Sequence, residues 1–162
     1  MDCDMLALTD ICELWSAIDT QMQANPWWKT RAPEPTKAVL VCQHDYVPKS
    51  AMKMDGQIQT TYPRKNWSSL MVFDNHRCNA LTPEYVNEAS GLDLHRFNWL
   101  APERLGSLPL EWNHLVGEYE PNPAAKLLHY TLGGPWMEGF QTCEQSALWW
   151  EEYNHMRGVV RA

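Results

Sequence analysis

Asp2-Cys3-Asp4 sets two carboxylates one residue apart. At the end of a strand, such a pair can reach one hard divalent cation, because these ions take oxygen ligands. Three letters describe a polar turn ahead of a helix equally well. His44-Asp45 is the next pair with chemical capacity: after a buried strand it can orient a sugar hydroxyl or carry a proton, or it can lie in a solvated loop. Arg64 and Lys65 supply charge that neutralises phosphate, or they form a solvated turn. Ser68 and Ser69 lie outside any G-x-S-x-G context, so a hydrolase nucleophile is not expected there. Trp149 and Trp150 are adjacent in a helical pattern, which turns one of them toward a core.

The elements that must position these groups follow from periodicity. Met1 to Leu8 reads as the end of a strand and its exit loop. Thr9 or Asp10 caps a helix in which Ile11, Leu14, Trp15 and Ile18 fall at helical spacing; Asn25-Pro26 ends it. Pro33 and Pro35 mark a loop. Ala38–Cys42, Ser69–Phe73 and Lys126–Tyr130 are apolar runs of strand length. His44 to Asp55 is polar and expected to be exposed. Thr82-Pro83-Glu84 is a helix start that runs to Ala89 and stops at Ser90-Gly91. Leu94–Leu100 is a short helix or irregular turn, Leu108–Trp112 a short strand, and Glu144–Met156 a closing helix. Short strands alternating with helices predict one α/β domain over 1–162.

With these elements in place, Asp2 to Trp15 (DCDMLALTDICELW) resembles the D-x-D segment of GT-A glycosyltransferases, and most of all glycosyltransferase family 8, the glycogenin and bacterial galactosyltransferase-like branch. The resemblance rests on Asp2, Asp4, Met5, Leu6, Leu8, Asp10, Ile11, Glu13, Leu14 and Trp15. It implies that Asp2 and Asp4 hold Mn²⁺ or Mg²⁺ against the diphosphate of a nucleotide-sugar. Leu127 to Trp136 (LLHYTLGGPW) is similar to the family's His-bearing strand and loop, which implies that His129 is the third metal ligand. It also implies that Gly133, Gly134 and Trp136 lie against the donor. A neutral imidazole suits Mn²⁺, and glycine lets backbone N–H groups approach phosphate oxygens. An alternative for His129 is a satisfied core histidine. Gly134 stands where the family carries a Lys, so a phosphate-neutralising charge is missing or comes from elsewhere, for instance Lys65 or Lys49.

Pro63 to Asp74 looks like the family's sugar-binding strand, which makes Asn66 or Trp67, with Ser68 beside them, candidate donor contacts. Leu108 to Asn113 (LPLEWN) is similar to a family segment whose Asn lies near the acceptor, which implies Asn113. Asp93-Leu94-His95 falls where the family has D-Q-D. Leu94 replaces the Gln and His95 the second Asp, which leaves retention or inversion open while keeping Asp93 and His95 as catalytic candidates. The implied fold is the C-terminal part of a GT-A, Rossmann-like mixed sheet flanked by helices, lacking the N-terminal nucleotide-binding half. Self-association or a missing segment would complete it. The expected activity moves a hexose from a nucleotide-sugar, most simply a UDP-hexose, to a glycan or other hydroxyl acceptor. The alternatives are a non-catalytic carbohydrate-binding or scaffold fragment and a metal-dependent hydrolase.

Composition narrows the classes. The 162 residues carry 13 Lys+Arg against 20 Asp+Glu, a formal charge of −7, the wrong sign for a general grip on nucleic acid. No apolar run is long enough to span a membrane, and no secretory leader pattern opens the sequence. Five scattered cysteines with no CxxC suit a reducing cytoplasm better than a disulfide framework. Nine Trp against three Phe is a weak hint toward carbohydrate.

Overall fold

The computed structural model describes residues 1–23 and 37–158, with backbone alone for 20–23. The expected helix end at Asn25-Pro26 and the Pro33/Pro35 loop lie outside the described residues. Among the described residues the architecture is mixed α/β, with two small three-stranded sheets and four α-helices.

The first sheet has β1 (Met5–Ala7), β6 (Leu127–His129) and β5 (His114–Leu115) in that order. β1 runs antiparallel to β6, with Met5 opposite His129, and β5 runs parallel to β6. In the second sheet β2 (Val39–Cys42) lies between antiparallel β3 (Met71–Phe73) and parallel β4 (Leu105–Leu108). All three apolar runs therefore became strands, but they divide between two sheets.

β2 shows why. Leu40 and Cys42 pack with Leu14, Ile18, Trp112 and Leu127, while Val39 and Val41 pack on the other face with Phe97, Leu100 and Leu105. A strand buried on both faces reads as a continuous apolar run. Its partner position on β4 is Gly106, where a Cβ would stand 2.2 Å from Leu40 Cδ2. The first cluster joins the two sheets beneath α1 (Cys12–Gln23), which buries Leu14 and Ile18 and leaves Ile11 and Trp15 exposed. A third cluster sets Leu128 and Tyr130 against Val116, Ala125, Leu6 and Trp149 of α4 (Ser146–Met156). The alternation of Leu127 and Leu128 between clusters is the period of two of β6.

Helix α2 (Pro83–Glu88) starts as expected, with Thr82 Oγ1 accepting the Tyr85 N–H at 3.2 Å and Pro83 at the first helical position. Four expectations need correction. The D-x-D motif does not end a strand: it forms the turn leading into β1, tied by Asp2 N–H to Ser69 O at 2.9 Å and Tyr130 N–H to Asp4 O at 3.0 Å. Ser90-Gly91 does not merely stop a helix. Ser90 Oγ accepts the Asp93 N–H at 3.1 Å and opens α3 (Gly91–His95). Leu108–Trp112 is not a strand, because Pro109 has no N–H for the ladder; β4 ends at Leu108 and a 3₁₀ turn covers Leu110–Asn113. The segment after β2 is not uniformly exposed, since His44 is buried and the backbone further on is pinned by Glu118, as described below. No helix among the described residues is long and apolar enough to cross a membrane.

Candidate functional site

The turn before β1 and the end of β6 meet because β1 and β6 pair. This brings Asp2, Asp4 and His129 together, with one ligand atom from each within 4.8 Å of the others. His129 is 2% exposed, and its Nε2 stands 3.5 Å from Asp4 Oδ1. Two ligands on opposite sides of one ion stand about 4.2 Å apart at the bond length of Mg²⁺, so these spacings close on a cation with small side-chain adjustment.

The imidazole is held from behind. His129 Nδ1 lies 2.9 Å from Asn113 Oδ1, and the Asn113 amide nitrogen donates to Ser69 Oγ at 2.9 Å and to Asn66 O at 3.1 Å. Ser69 Oγ in turn donates to Asn66 O at 2.6 Å. An amide nitrogen so committed leaves its oxygen facing the ring, so Nδ1 carries the proton and Nε2 presents a lone pair to Asp4. The buried Asp4 Oδ1 has no hydrogen-bond partner. Oxygen ligands with one neutral imidazole suit Mn²⁺ or Mg²⁺, and an orphaned carboxylate oxygen facing a bare imidazole nitrogen fits a cation between them.

Burial pushes the Asp4 carboxyl up, but the His129 imidazole, when also protonated at Nε2, outweighs that by hydrogen bonding and charge and holds the carboxyl below its ordinary value. Asp2 goes the other way. Its side chain reaches solvent, yet the surrounding protein desolvates it and raises its carboxyl, with Asp4 adding to the rise and His129 opposing it. Asp2, Cys3 and Asp4, with Trp136 and Trp149, line a cleft of about 570 Å³.

Other candidates gather around this corner. Ser68 Oγ lies 2.6 Å from His95 Nδ1, and the charge of His95 acts on Asp2. Asp93 does not face the corner: its carboxylate accepts from Ser90 Oγ at 2.6 Å and from the Asn98 amide at 2.7 Å, closing the first turn of α3 and so placing His95. Tyr62 carries Lys65 Nζ and the Arg96 guanidinium near its ring, at 5.3 and 5.7 Å. Burial raises the Tyr62 hydroxyl, with Arg96 opposing and Asp2 adding.

Several placements differ from the expected roles. Asn113 is fully buried behind His129 and presents no surface to an acceptor. Asn66, in the left-handed region at φ 62°, spends its amide on Tyr46 Oη at 2.7 Å and Thr131 Oγ1 at 3.2 Å. Trp67 packs into the core on the β2–β3–β4 sheet and donates its indole N–H to His44 O. Lys65 is buried, donates to Thr60 O at 2.7 Å, and is lowered by that burial. Lys49 lies at Glu120 instead.

The glycine loop is filled by protein. A Cβ at Gly133 would meet Met137 Sδ at 2.6 Å and Met54 Cβ at 2.8 Å, and one at Gly134 would meet the Trp136 ring at 2.2 Å. The Gly133 N–H is spent on Tyr130 O at 2.8 Å. These glycines make room for side chains and leave no phosphate cradle at either Cα.

His44 and Asp45 line a second cleft of about 320 Å³ with Tyr46, Tyr62 and Arg64. His44 is buried with Nδ1 2.8 Å from Tyr119 Oη and is lowered to about 4, chiefly by burial. Beneath it, buried Glu118 accepts the Lys49 backbone N–H at 2.8 Å and the Gln59 amide at 2.7 Å.

Sequence reading missed three residues. The helical pattern turns one of Trp149 and Trp150 toward a core; Trp149 packs there and also lines the cleft, and its i, i+4 spacing to Tyr153, which stacks on it at 5.0 Å, is the available signal. Buried His114, held down by burial, carries no local motif. Tyr62 gives no signal before folding brings Lys65 and Arg96 to it.

No family model and no solved structure matches this chain. It is 44% identical over 164 residues to Protein CDI of Arabidopsis thaliana, an alignment that covers 95% of the chain and 58% of that protein, so the chain spans somewhat more than half the length of the curated relative it matches.

Proposed function

We propose that this chain is the metal-binding and acceptor-side part of a nucleotide-sugar-dependent glycosyltransferase, its two sheets corresponding to the C-terminal part of a GT-A domain. The observation that carries this reading is the convergence of Asp2, Asp4 and His129, with Asn113 turning the free imidazole nitrogen toward Asp4. Asp2, Asp4 and His129 would hold Mn²⁺ or Mg²⁺, which supplies Lewis-acid stabilisation of a leaving diphosphate. UDP-hexose is the simplest donor.

The other residues supply position and proton transfer. Asn113 fixes the His129 tautomer. Asp93 and Ser90 cap α3 and place His95 at its end. In the tautomer that donates Nδ1–H to Ser68 Oγ, His95 would have Nε2 to accept the proton of an incoming hydroxyl.

Calorimetric titration with Mn²⁺, then with UDP-glucose and UDP-galactose with and without Mn²⁺, tests this. Nucleotide-sugar binding that requires Mn²⁺ and is lost in Asp2→Ala is expected; metal-indifferent binding, or no metal binding, overturns it. A second reading, a carbohydrate-binding fragment without turnover, draws support from the filled glycine loop. It expects glycan binding that ignores Mn²⁺.

A further inference from the structure

The cleft beside the metal corner is lined by two unlike groups of side chains: the carboxylates of Asp2 and Asp4, with Cys3 between them in sequence, and the indoles of Trp136 and Trp149. Trp136 is 44% exposed, large for so apolar a side chain, and its position is built rather than incidental. The benzenoid part of its ring lies directly over Gly134, where any Cβ would stand 2.2–2.7 Å from three of its carbons. Tyr130 meets it edge-on at 5.7 Å, and Trp149 lies at 5.6 Å, tilted by 46°. Trp149 is braced in turn by Tyr153, stacked at 5.0 Å, and by Trp150 at 4.8 Å. Tyr130 is fixed by its hydroxyl to Gln145 O at 2.9 Å. Trp67 and Trp150 commit their indole N–H groups to backbone carbonyls. Those of Trp136 and Trp149 donate to no acceptor among the described residues.

We propose that Trp136 and Trp149 form a stacking subsite for a pyranose ring, seated against the indoles with its hydroxyl rim toward Asp2 and Asp4. A pyranose has an apolar C–H face and a hydroxyl edge, and the cleft offers both apolar indole and carboxylate acceptors. An organic cation would use the same residue types, but it gains most when aromatic faces enclose and desolvate it. Here the two indoles touch each other and form one open wall. Assigning the bound ring to the acceptor saccharide rests on the transferase reading; binding of a pyranose as such does not.

The test titrates the full chain with methyl β-glucoside, methyl β-galactoside, maltose and cellobiose, and separately with choline chloride, by saturation-transfer NMR and calorimetry. Trp136→Ala is expected to weaken glycoside binding at least about tenfold, and Trp136→Phe to restore most of it. Gly134→Ala, which must displace the ring, is expected to weaken binding like Trp136→Ala. Unchanged glycoside affinity in Trp136→Ala overturns the proposal. So does choline binding that competes with Mn²⁺, or the absence of binding by every glycoside in the panel. A parallel Mn²⁺ titration of the unmodified chain separates the two readings: loss of metal binding with intact glycoside binding removes the transferase and leaves the subsite.

Discussion

His129 and His44 are both buried, 2% and 5% exposed, and each has Nδ1 engaged, by Asn113 Oδ1 at 2.9 Å and by Tyr119 Oη at 2.8 Å. They differ at Nε2. His129 points it at a carboxylate 3.5 Å away, with a second carboxylate in reach. His44 points it at nothing among the described residues, and burial disfavours a proton there, with His129 and His114 adding to this when they are charged. One imidazole therefore faces two carboxylates, while the other is kept neutral as part of the scaffold. Burial of a histidine says little about its role; what faces its second nitrogen decides.

The sharpest way to break this contrast is Asp4→Asn. It leaves the shape of the corner and removes the charge that faces Nε2, so Mn²⁺ affinity should fall by more than about 100-fold, beyond what loss of an outer hydrogen-bond partner produces. Calorimetry measures it; an unchanged dissociation constant would mean that the corner is an ordinary ion pair.

Next is pH. His44 is lowered from 6.5 to about 4, so between these values the unfolded chain binds a proton that the folded chain refuses. Stability is then full above the unfolded value and is lost as pH falls from 6.5 toward 4, by at most about 3 kcal/mol. Urea midpoints at pH 7 and pH 5 should separate, and the gap should shrink in His44→Gln. Equal gaps in both proteins would remove His44 as the cause.

Asn113→Ala comes third. Freed from its partner, the His129 ring can take the other tautomer, and metal affinity should drop about 10- to 100-fold. Asn113→Asp, which keeps the acceptor oxygen, should recover part of it. A smaller effect is expected on the scaffold side. Glu118→Ala strips the Lys49 N–H and the Gln59 amide of their acceptor and should cost about 1–3 kcal/mol in urea unfolding. Mn²⁺ affinity should stay as it was, and a matching loss of metal binding would show the two regions to be coupled.

Residue patterns alone placed α1, α2, α4 and the three apolar strands close to where they form, because burial on one helical face or on both faces of a strand leaves a periodic trace. Leu14 with Ile18, the run Val39–Cys42, and Thr82-Pro83 are such traces. Patterns failed where a single hydrogen-bonding group decides. Pro109 ends β4 by lacking an N–H, Ser90 starts a helix through one hydroxyl, and the D-x-D turn is held by the Ser69 carbonyl and the Tyr130 N–H from distant segments. None of these features changes hydrophobic periodicity.

The candidate site divides the same way. Asp2 and Asp4 could be chosen from their spacing, and His129 from the segment it heads. Folding alone decided that Asn113 stands behind His129 instead of facing solvent, that the Gly134 space is taken by the Trp136 ring, and that Trp149 lines the same cleft as the acidic turn. Local spacing encodes which groups one element can present. Which groups from different elements touch depends on strand pairing and side-chain packing, and here the β1–β6 register and the β2 core settle it.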